Sequence, residues 1–256
     1  MNKTALITGA SSGIGKETAY VYAQNGYNLV LVARRIDNLN TIKKEIEESN
    51  KIKVSVFDMD LSKLKSAEEL YKKVTDANLE VDVLINNAGF GIYKNFADSN
   101  IEKEEQMLIL NIVTLTKLTK LVLPQMIKRG NGNIVNIAST AAYQPVPSLA
   151  SYSATKAYVM NFSEAIAFEL KDKNVNVTTI CPGATQSEFG HAAGFNENDK
   201  FFNNIPTAKN IAKFIYKAMK ANKTNAIHGF KNNFLAFSNR FAPRKLTTYI
   251  AYKMIN

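Results

Sequence analysis

Short apolar runs punctuate the chain at regular intervals. Lys3–Thr8, Asn28–Val32, Ile52–Phe57, Val81–Ile85, Ile134–Ala138 and Val175–Cys181 are each bounded by Gly, Asn, Asp or Pro. Such runs predict strands buried on both faces, as in a parallel sheet. Between them lie longer stretches with helical periodicity: from Gly13 to about Asn25, Ile36 to Ser49, Ser62 to about Asn78, Glu102 to Ile127, and from near Tyr152 to about Leu170. Gly26 sits where a helix ends in the left-handed conformation. Ser62 is a stronger cap for the following helix than Asp60, and Thr207 caps another that runs to about Ala221. Six strands alternating with six helical segments predict an α/β fold: one doubly wound parallel sheet of six to seven strands, with helices on both faces. No linker, repeat or low-complexity tract divides residues 1–256, so one domain is expected.

Composition narrows the class. The chain has 256 residues, 46% of them hydrophobic and 21% charged, which suits an ordinary globular protein. Its one cysteine, Cys181, rules out an internal disulfide and fits a reducing compartment. Cys181 lies in an apolar run, where a packed thiol is expected. Two histidines with that cysteine give no metal-ligand spacing. The N-terminus lacks a secretory leader pattern and no apolar run approaches membrane-spanning length, so a cytoplasmic protein is expected. Charge is unevenly spread. Residues 1–199 hold 21 Lys/Arg and 22 Asp/Glu, whereas the last 57 hold 11 Lys/Arg and no Asp/Glu. That basic end suits a solvated face, an anionic substrate, an acidic subunit face or a membrane surface. No nucleic-acid-binding motif accompanies it.

The first strand runs into Gly9-Ala10-Ser11-Ser12-Gly13-Ile14-Gly15 and then a helix. Glycines there allow a tight turn and close approach of a pyrophosphate to the helix N-terminus. The second strand ends in Val32-Ala33-Arg34-Arg35, where NAD binding would call for an acid. Two guanidinium groups instead suit a 2′-phosphate through bidentate bonds, so NADP(H) is the expected cofactor. Asp60 and Leu61 follow the third strand; Asp60 can accept from an adenine amino group or cap a helix. The fourth strand ends in Asn86-Asn87-Ala88-Gly89 at the carboxyl edge, where ligands bind in open α/β sheets. Asn111 lies mid-helix among apolar residues, where a structural hydrogen bond is the default.

Candidate chemistry centres on Ser139 at a strand end, Tyr152 and Lys156. Tyr-x-x-x-Lys occurs three times, at Tyr152, Tyr216 and Tyr249, but only the first has a serine thirteen residues upstream. Tyr152 and Lys156 share a helix face. An ammonium within roughly 4–6 Å would lower the phenol's pKa, and two to three units would correspond to roughly 3–4 kcal/mol. Such a phenol is a general acid/base, with the Ser139 hydroxyl holding a carbonyl oxygen beside it.

Together, Thr8-Gly9-x-x-x-Gly13-x-Gly15, Asp60-Leu61, Asn86-Asn87-Ala88-Gly89, Asn111, Ser139, Tyr152-x-x-x-Lys156 and Pro182-Gly183 resemble the short-chain dehydrogenase/reductase family, nearest its bacterial NADPH-dependent carbonyl reductases. The resemblance implies a Rossmann fold, NADP(H), Tyr152 as acid/base, Ser139 orienting the carbonyl, and Lys156 lowering the Tyr152 pKa while binding the nicotinamide ribose. It also implies that Asn111 holds a water of a proton relay, in place of the structural default. By the same likeness Gly9, Ser11, Ser12, Gly13, Ile14, Gly15, Arg34, Arg35, Asp60, Leu61, Asn87, Ala88, Gly89, Pro182, Gly183, Thr185 and Ser187 join Tyr152 and Lys156 in binding the cofactor. Asn87 and the turn from Pro182 to Ser187 serve the nicotinamide side. A homodimer or homotetramer is implied as well. Two departures exist: Ser187 stands where a threonine is usual, and Ser12 where many NADP-binding members carry a basic residue, leaving phosphate recognition to Arg34 and Arg35.

Residues 186–206 are expected to be a substrate lid. The irregular part, from Phe189 to Ile205, holds Phe189, Phe195, Phe201 and Phe202, fit to cover an apolar carbonyl substrate. Residues 230–256 form a basic extension whose apolar positions, Phe234, Phe237, Phe241, Leu246, Tyr249, Ile250 and Met254, are expected to pack on the domain or a sister subunit rather than on a membrane. The expected activity is reduction of ketones or aldehydes by hydride transfer. The rivals are a peripheral membrane reductase of lipid-borne ketones and a non-catalytic NADP-binding sensor.

Overall fold

The computed structural model describes residues 2–195 and 205–255. Seven parallel strands form one sheet: β1 (Thr4–Thr8), β2 (Asn28–Ala33), β3 (Val54–Asp58), β4 (Val83–Asn86), β5 (Gly132–Ile137), β6 (Val175–Cys181) and β7 (Asn225–Ile227). Their order is β3-β2-β1-β4-β5-β6-β7. Registers such as Ile7↔Leu31 and Ile7↔Ile85 show β1 paired on both sides. The helices are α1 (Gly13–Gln24), α2 (Ile36–Ser49), α3 (Ser66–Asp76), α4 (Ile101–Leu108), α5 (Leu115–Arg129), α6 (Ala150–Glu169), α7 (Phe189–Ala193), α8 (Ala208–Lys220), α9 (Phe230–Ser238) and α10 (Arg244–Ile255).

Alternation along each strand divides the core in two. Ala5, Ile7, Leu29 and Leu31 point to one face with Tyr22 of α1, Ile42 of α2 and Ile215 of α8. Leu6, Val30, Val32 and Leu84 point to the other, with Leu70 of α3 and Leu118 and Val122 of α5. A period of two sends successive side chains to opposite faces, and helices cover both.

Several expectations are adjusted. The sheet has the upper of the six to seven strands expected; the seventh, β7, whose place was not foreseen, is three residues long. Ser62 does not cap α3, which starts at Ser66; its backbone N–H and hydroxyl instead donate to Asp60 Oδ1 at 3.0 and 2.7 Å. Thr207 does cap α8, its side chain accepting from the Asn210 N–H at 3.3 Å. Gly26 follows α1 with φ +78°, as its position implied. The long helix is interrupted by a π-helical turn, Ile109–Thr114, joining α4 to α5. Contrary to expectation, one stretch among the described residues, Ile101–Arg129, is long and apolar enough to cross a membrane by length and composition. Here it lies on the sheet, with Met107, Leu118, Val122 and Met126 buried.

Candidate active site

A cavity of about 930 Å³ opens at the carboxyl ends of the strands. β1 has β2 on one side and β4 on the other, so the connections leaving β1 and β4 diverge and leave a crevice. Every residue expected to act in catalysis or to bind the cofactor lines this cavity except Asn111.

The glycine turn is held by its neighbours. The Thr8 hydroxyl accepts from the backbone N–H groups of Asn87 and Ala88 at 3.0 Å each. The Asn87 amide donates to the carbonyls of Thr8 and Gly9 at 2.9 and 3.2 Å. That side chain pins the turn to β4, while Asn87 also lines the cavity. Gly9 and Gly13 have φ +66° and +53°. A Cβ on Gly15 would lie 2.2 Å from the Gly9 oxygen. Ser12 precedes α1 without a side-chain cap, and no acid stands in the helix's first turn. The first N–H groups of α1 are thereby left for an anion, and the cradle fits a pyrophosphate.

The Arg35 guanidinium donates to Glu188 at 2.8 Å and to the Ser11 hydroxyl at 3.3 Å. Arg35 and Ser12 both bond Glu188, holding its carboxyl below the usual range. Sequence reasoning missed Glu188. Asp60 is pushed up by burial, but the bonds from Ser62 and the Arg34 charge prevail and lower it overall. A carboxylate that accepts from Ser62 in this way shapes the turn after β3.

Elsewhere on the cavity wall, Ser139 stands two residues past the end of β5, and its Oγ accepts from the Ala141 N–H at 3.1 Å. Tyr152 and Lys156 stand one turn apart on α6, both buried. Lys156 Nζ donates to the Ile137 carbonyl at 2.8 Å and lies 5.7 Å from the Tyr152 ring centroid. The expected lowering of the phenol's pKa is not found. Burial pushes Tyr152 up to about 12, the Ser139 hydroxyl bond working against it. Burial likewise pulls Lys156 down to about 8. Desolvation is the largest cause for each group.

Asn111 lies in the π turn, beneath the cavity wall. Its Nδ2 donates to the Phe90 carbonyl and Thr155 Oγ1 at 3.0 and 3.1 Å, and its Oδ1 accepts from the Phe90 N–H at 3.2 Å. The side chain ties the segment after Gly89 to α6, the structural bonding expected by default of a mid-helix asparagine. A Cβ on Gly89 would fall 2.9 Å from Asn111 Oδ1.

After β6, the Thr185 hydroxyl donates to the Gly183 carbonyl at 3.0 Å and Ser187 Oγ accepts from the Phe189 N–H at 3.4 Å. The segment expected to be irregular opens with α7. Phe189 packs on Tyr152 at 5.4 Å between ring centroids, and Phe195 stacks on Tyr93 at 4.2 Å. Phe201 and Phe202 lie outside the described residues. Cys181 is buried, its thiol pushed up to about 11 by burial, as a packed thiol should be. Also missed were Ala251, Met254 and Ile255 of α10, which close the far end of the cavity. Tyr93 Oη donates to the Ile255 carbonyl at 3.3 Å. Nothing local in the sequence ties a C-terminal helix to this site.

The family model described as short chain dehydrogenase matches residues 3–198. A Drosophila melanogaster dehydrogenase/reductase SDR family protein 7-like is 33% identical over 73% of this chain, which spans only 58% of that relative. The mouse 17-beta-hydroxysteroid dehydrogenase type 3 is 32% identical over 86% of this chain and 69% of its own length. A short-chain dehydrogenase from Sphingobium yanoikuyae in complex with NADPH is 27% identical, covers 93% of each chain and gives a TM-score of 0.85. A glycine cradle on a doubly wound sheet, a Ser–Tyr–Lys group beside it and a family match over most of the length lead to one conclusion: the chain belongs to the short-chain dehydrogenase/reductase family, oxidoreductases of CH–OH and C=O groups that use NAD(P)(H).

Proposed function

We propose that this protein is an NADPH-dependent carbonyl reductase in which Tyr152 protonates the oxygen of a ketone or aldehyde. The observation that carries this reading is Tyr152 buried one helical turn from Lys156, with Ser139 beside them on the lining of a cavity that also holds Arg34 and Arg35. Bound in the glycine cradle, NADPH supplies the hydride. The chain's own residues do the rest. Gly13, Ile14 and Gly15 offer backbone to the pyrophosphate, and Arg34, Arg35 and Ser11 hold the 2′-phosphate. With a phenol raised to about 12, Tyr152 is protonated at neutral pH and so suited to give a proton in the reductive direction. The Ser139 hydroxyl favours the phenolate left behind and can hold the carbonyl oxygen. Phe189 and Phe195, with Tyr93, make the substrate end apolar and exclude water. The names of the Sphingobium and mouse proteins, an NADPH complex and a hydroxysteroid dehydrogenase, agree with this cofactor and with a bulky apolar substrate.

Replacing Tyr152 with Phe removes the proton donor and leaves the cradle intact. Turnover of an aryl ketone, followed as NADPH absorbance, should fall by at least about a hundredfold, with the NADPH Kd changed less than threefold on the order of ordinary variation. Retained turnover in that variant would sink the assignment.

A further inference from the structure

The last two helices reverse the usual arrangement of large and small side chains. α9 and α10 rest on the body through Ala236, Thr247 and Ala251, all buried. Their large apolar side chains face outward. Phe230, Phe234, Phe237 and Phe241 are 88, 63, 58 and 76% exposed, and their spacing forms one stripe along α9 and the turn after it. Leu246, Tyr249, Ile250 and Met254 continue the exposed apolar surface along α10. Of the two packings expected from the sequence, on the domain or on a sister subunit, the first does not bury these side chains, although Met254 also reaches the cavity. A monomer in water rarely exposes so many large apolar groups together.

The same two helices and the turn between them carry Lys231, Arg240, Arg244, Lys245 and Lys253, all exposed, and no acid occurs from Lys200 onward. Aromatic and aliphatic groups among cations, on helices lying flat against a protein, match the chemistry of an anionic lipid surface: apolar groups enter the acyl boundary while Lys and Arg meet headgroup phosphates. A second copy fits less well. Packing this face on itself would bring two sets of five cations together with no carboxylate between them.

We propose that the outer face of α9 and α10 docks on an anionic lipid bilayer. This inference does not rest on the reaction proposed above. It does give the site an orientation, because Ala251, Met254 and Ile255 of α10 line the end of the cavity. Docking thus sets the apolar end of the pocket beside the bilayer.

The chain contains no tryptophan, so Phe237→Trp supplies a single reporter. The full-length protein is spun with vesicles of phosphatidylcholine alone or mixed with phosphatidylglycerol, at low and high salt. Binding should require phosphatidylglycerol and weaken with salt, and Trp emission should move to shorter wavelength on the mixed vesicles. Binding should drop more than about tenfold both in Lys231→Gln/Arg240→Gln/Arg244→Gln/Lys245→Gln and in Phe234→Ser/Phe237→Ser/Phe241→Ser. Thermal melting and NADPH binding confirm that each variant is folded. The proposal is overturned by absence of vesicle binding, by binding that survives both sets of substitutions, or by an unshifted reporter. It is equally overturned if light scattering shows an oligomer that the Phe→Ser set splits apart, which would make this face a subunit interface.

Discussion

Lys156 keeps its ammonium inside the protein, and its pKa of about 8 measures the cost. The sign follows from proton counts. Below pH 8 both folded and unfolded chains are protonated, and folding bears the whole penalty. Between pH 8 and about 10.5 the unfolded chain holds the extra proton, so stability rises with pH. A shift of this size corresponds to roughly 3 kcal/mol. Lys156→Met removes the buried charge but leaves the Ile137 carbonyl without that donor, costing about 1 kcal/mol. The variant should therefore be more stable at pH 7 by roughly 1–2 kcal/mol and lose the rise between pH 8 and 10, while turnover collapses. Calorimetry across pH checks it; a less stable variant at pH 7 contradicts it. Arg35 presents a different balance. Its pair with Glu188 is half exposed and worth at most about 1 kcal/mol, yet a 2′-phosphate would need the same guanidinium. Glu188→Gln should strengthen NADPH binding by about two- to fivefold and leave NADH unchanged. Titration by fluorescence decides, and weaker NADPH binding in the variant would refute the competition. Tyr152, Lys156 and Arg35 were readable because residue type and spacing announce them. Glu188 was not, since nothing in a stretch of sequence says which distant guanidinium a surface acid will meet.

The glycine turn and α1 act as one element with the β4 end, because Asn87 and Thr8 bond them together. Gly15 and Gly26 show two separate reasons for glycine. At Gly15 an added Cβ would sit 2.2 Å from the Gly9 oxygen and 2.6 Å from Asn87 Nδ2. At Gly26 there is open space, and only φ +78° resists a side chain. Gly26→Ala should cost about 1 kcal/mol in melting experiments and leave cofactor affinity alone. Gly15→Ala should cost roughly 1–3 kcal/mol and also weaken NADPH binding by at least about tenfold, since the helix N-terminus must retreat from the turn. Equal NADPH affinity in the two variants would contradict a close-packed cradle. At this scale the strands and long helices were legible, because fully buried strands read as apolar runs and covering helices as amphipathic ones. β7 escaped because Asn225–Ile227 is too short to show a period. α7 escaped because Gly190 and Gly194 spell a loop. The π turn at Asn111 leaves no mark in hydropathy, and its effect appears only through the bonds to Phe90.

Across the whole molecule, the cavity joins parts that are far apart in the chain: the turn after β1, the ends of β4 to β6, α7 and the last turn of α10. The first four follow from the order of strands, since carboxyl ends of a parallel sheet lie along one edge. The α10 contribution depends on how the chain returns after β7, which no local pattern encodes. A ligand that bridges these parts binds only the folded chain, so it must raise the melting temperature. At about 100 times Kd the gain is about 2.7 kcal/mol, or roughly 5–10 °C for a chain of this size. On the proposed reading, in which Arg34, Arg35 and Ser11 hold the 2′-phosphate, NADPH should give that shift at a lower concentration than NADH. Arg34→Ala/Arg35→Ala should bring the NADPH curve close to the NADH curve and leave the latter where it was. The double variant changes only exposed side chains, so its melting temperature without nucleotide should stay within about 2 °C of the parent. If NADH shifts melting as strongly as NADPH in the parent, the two arginines do not select the phosphate, and cofactor preference must be sought elsewhere along the cavity.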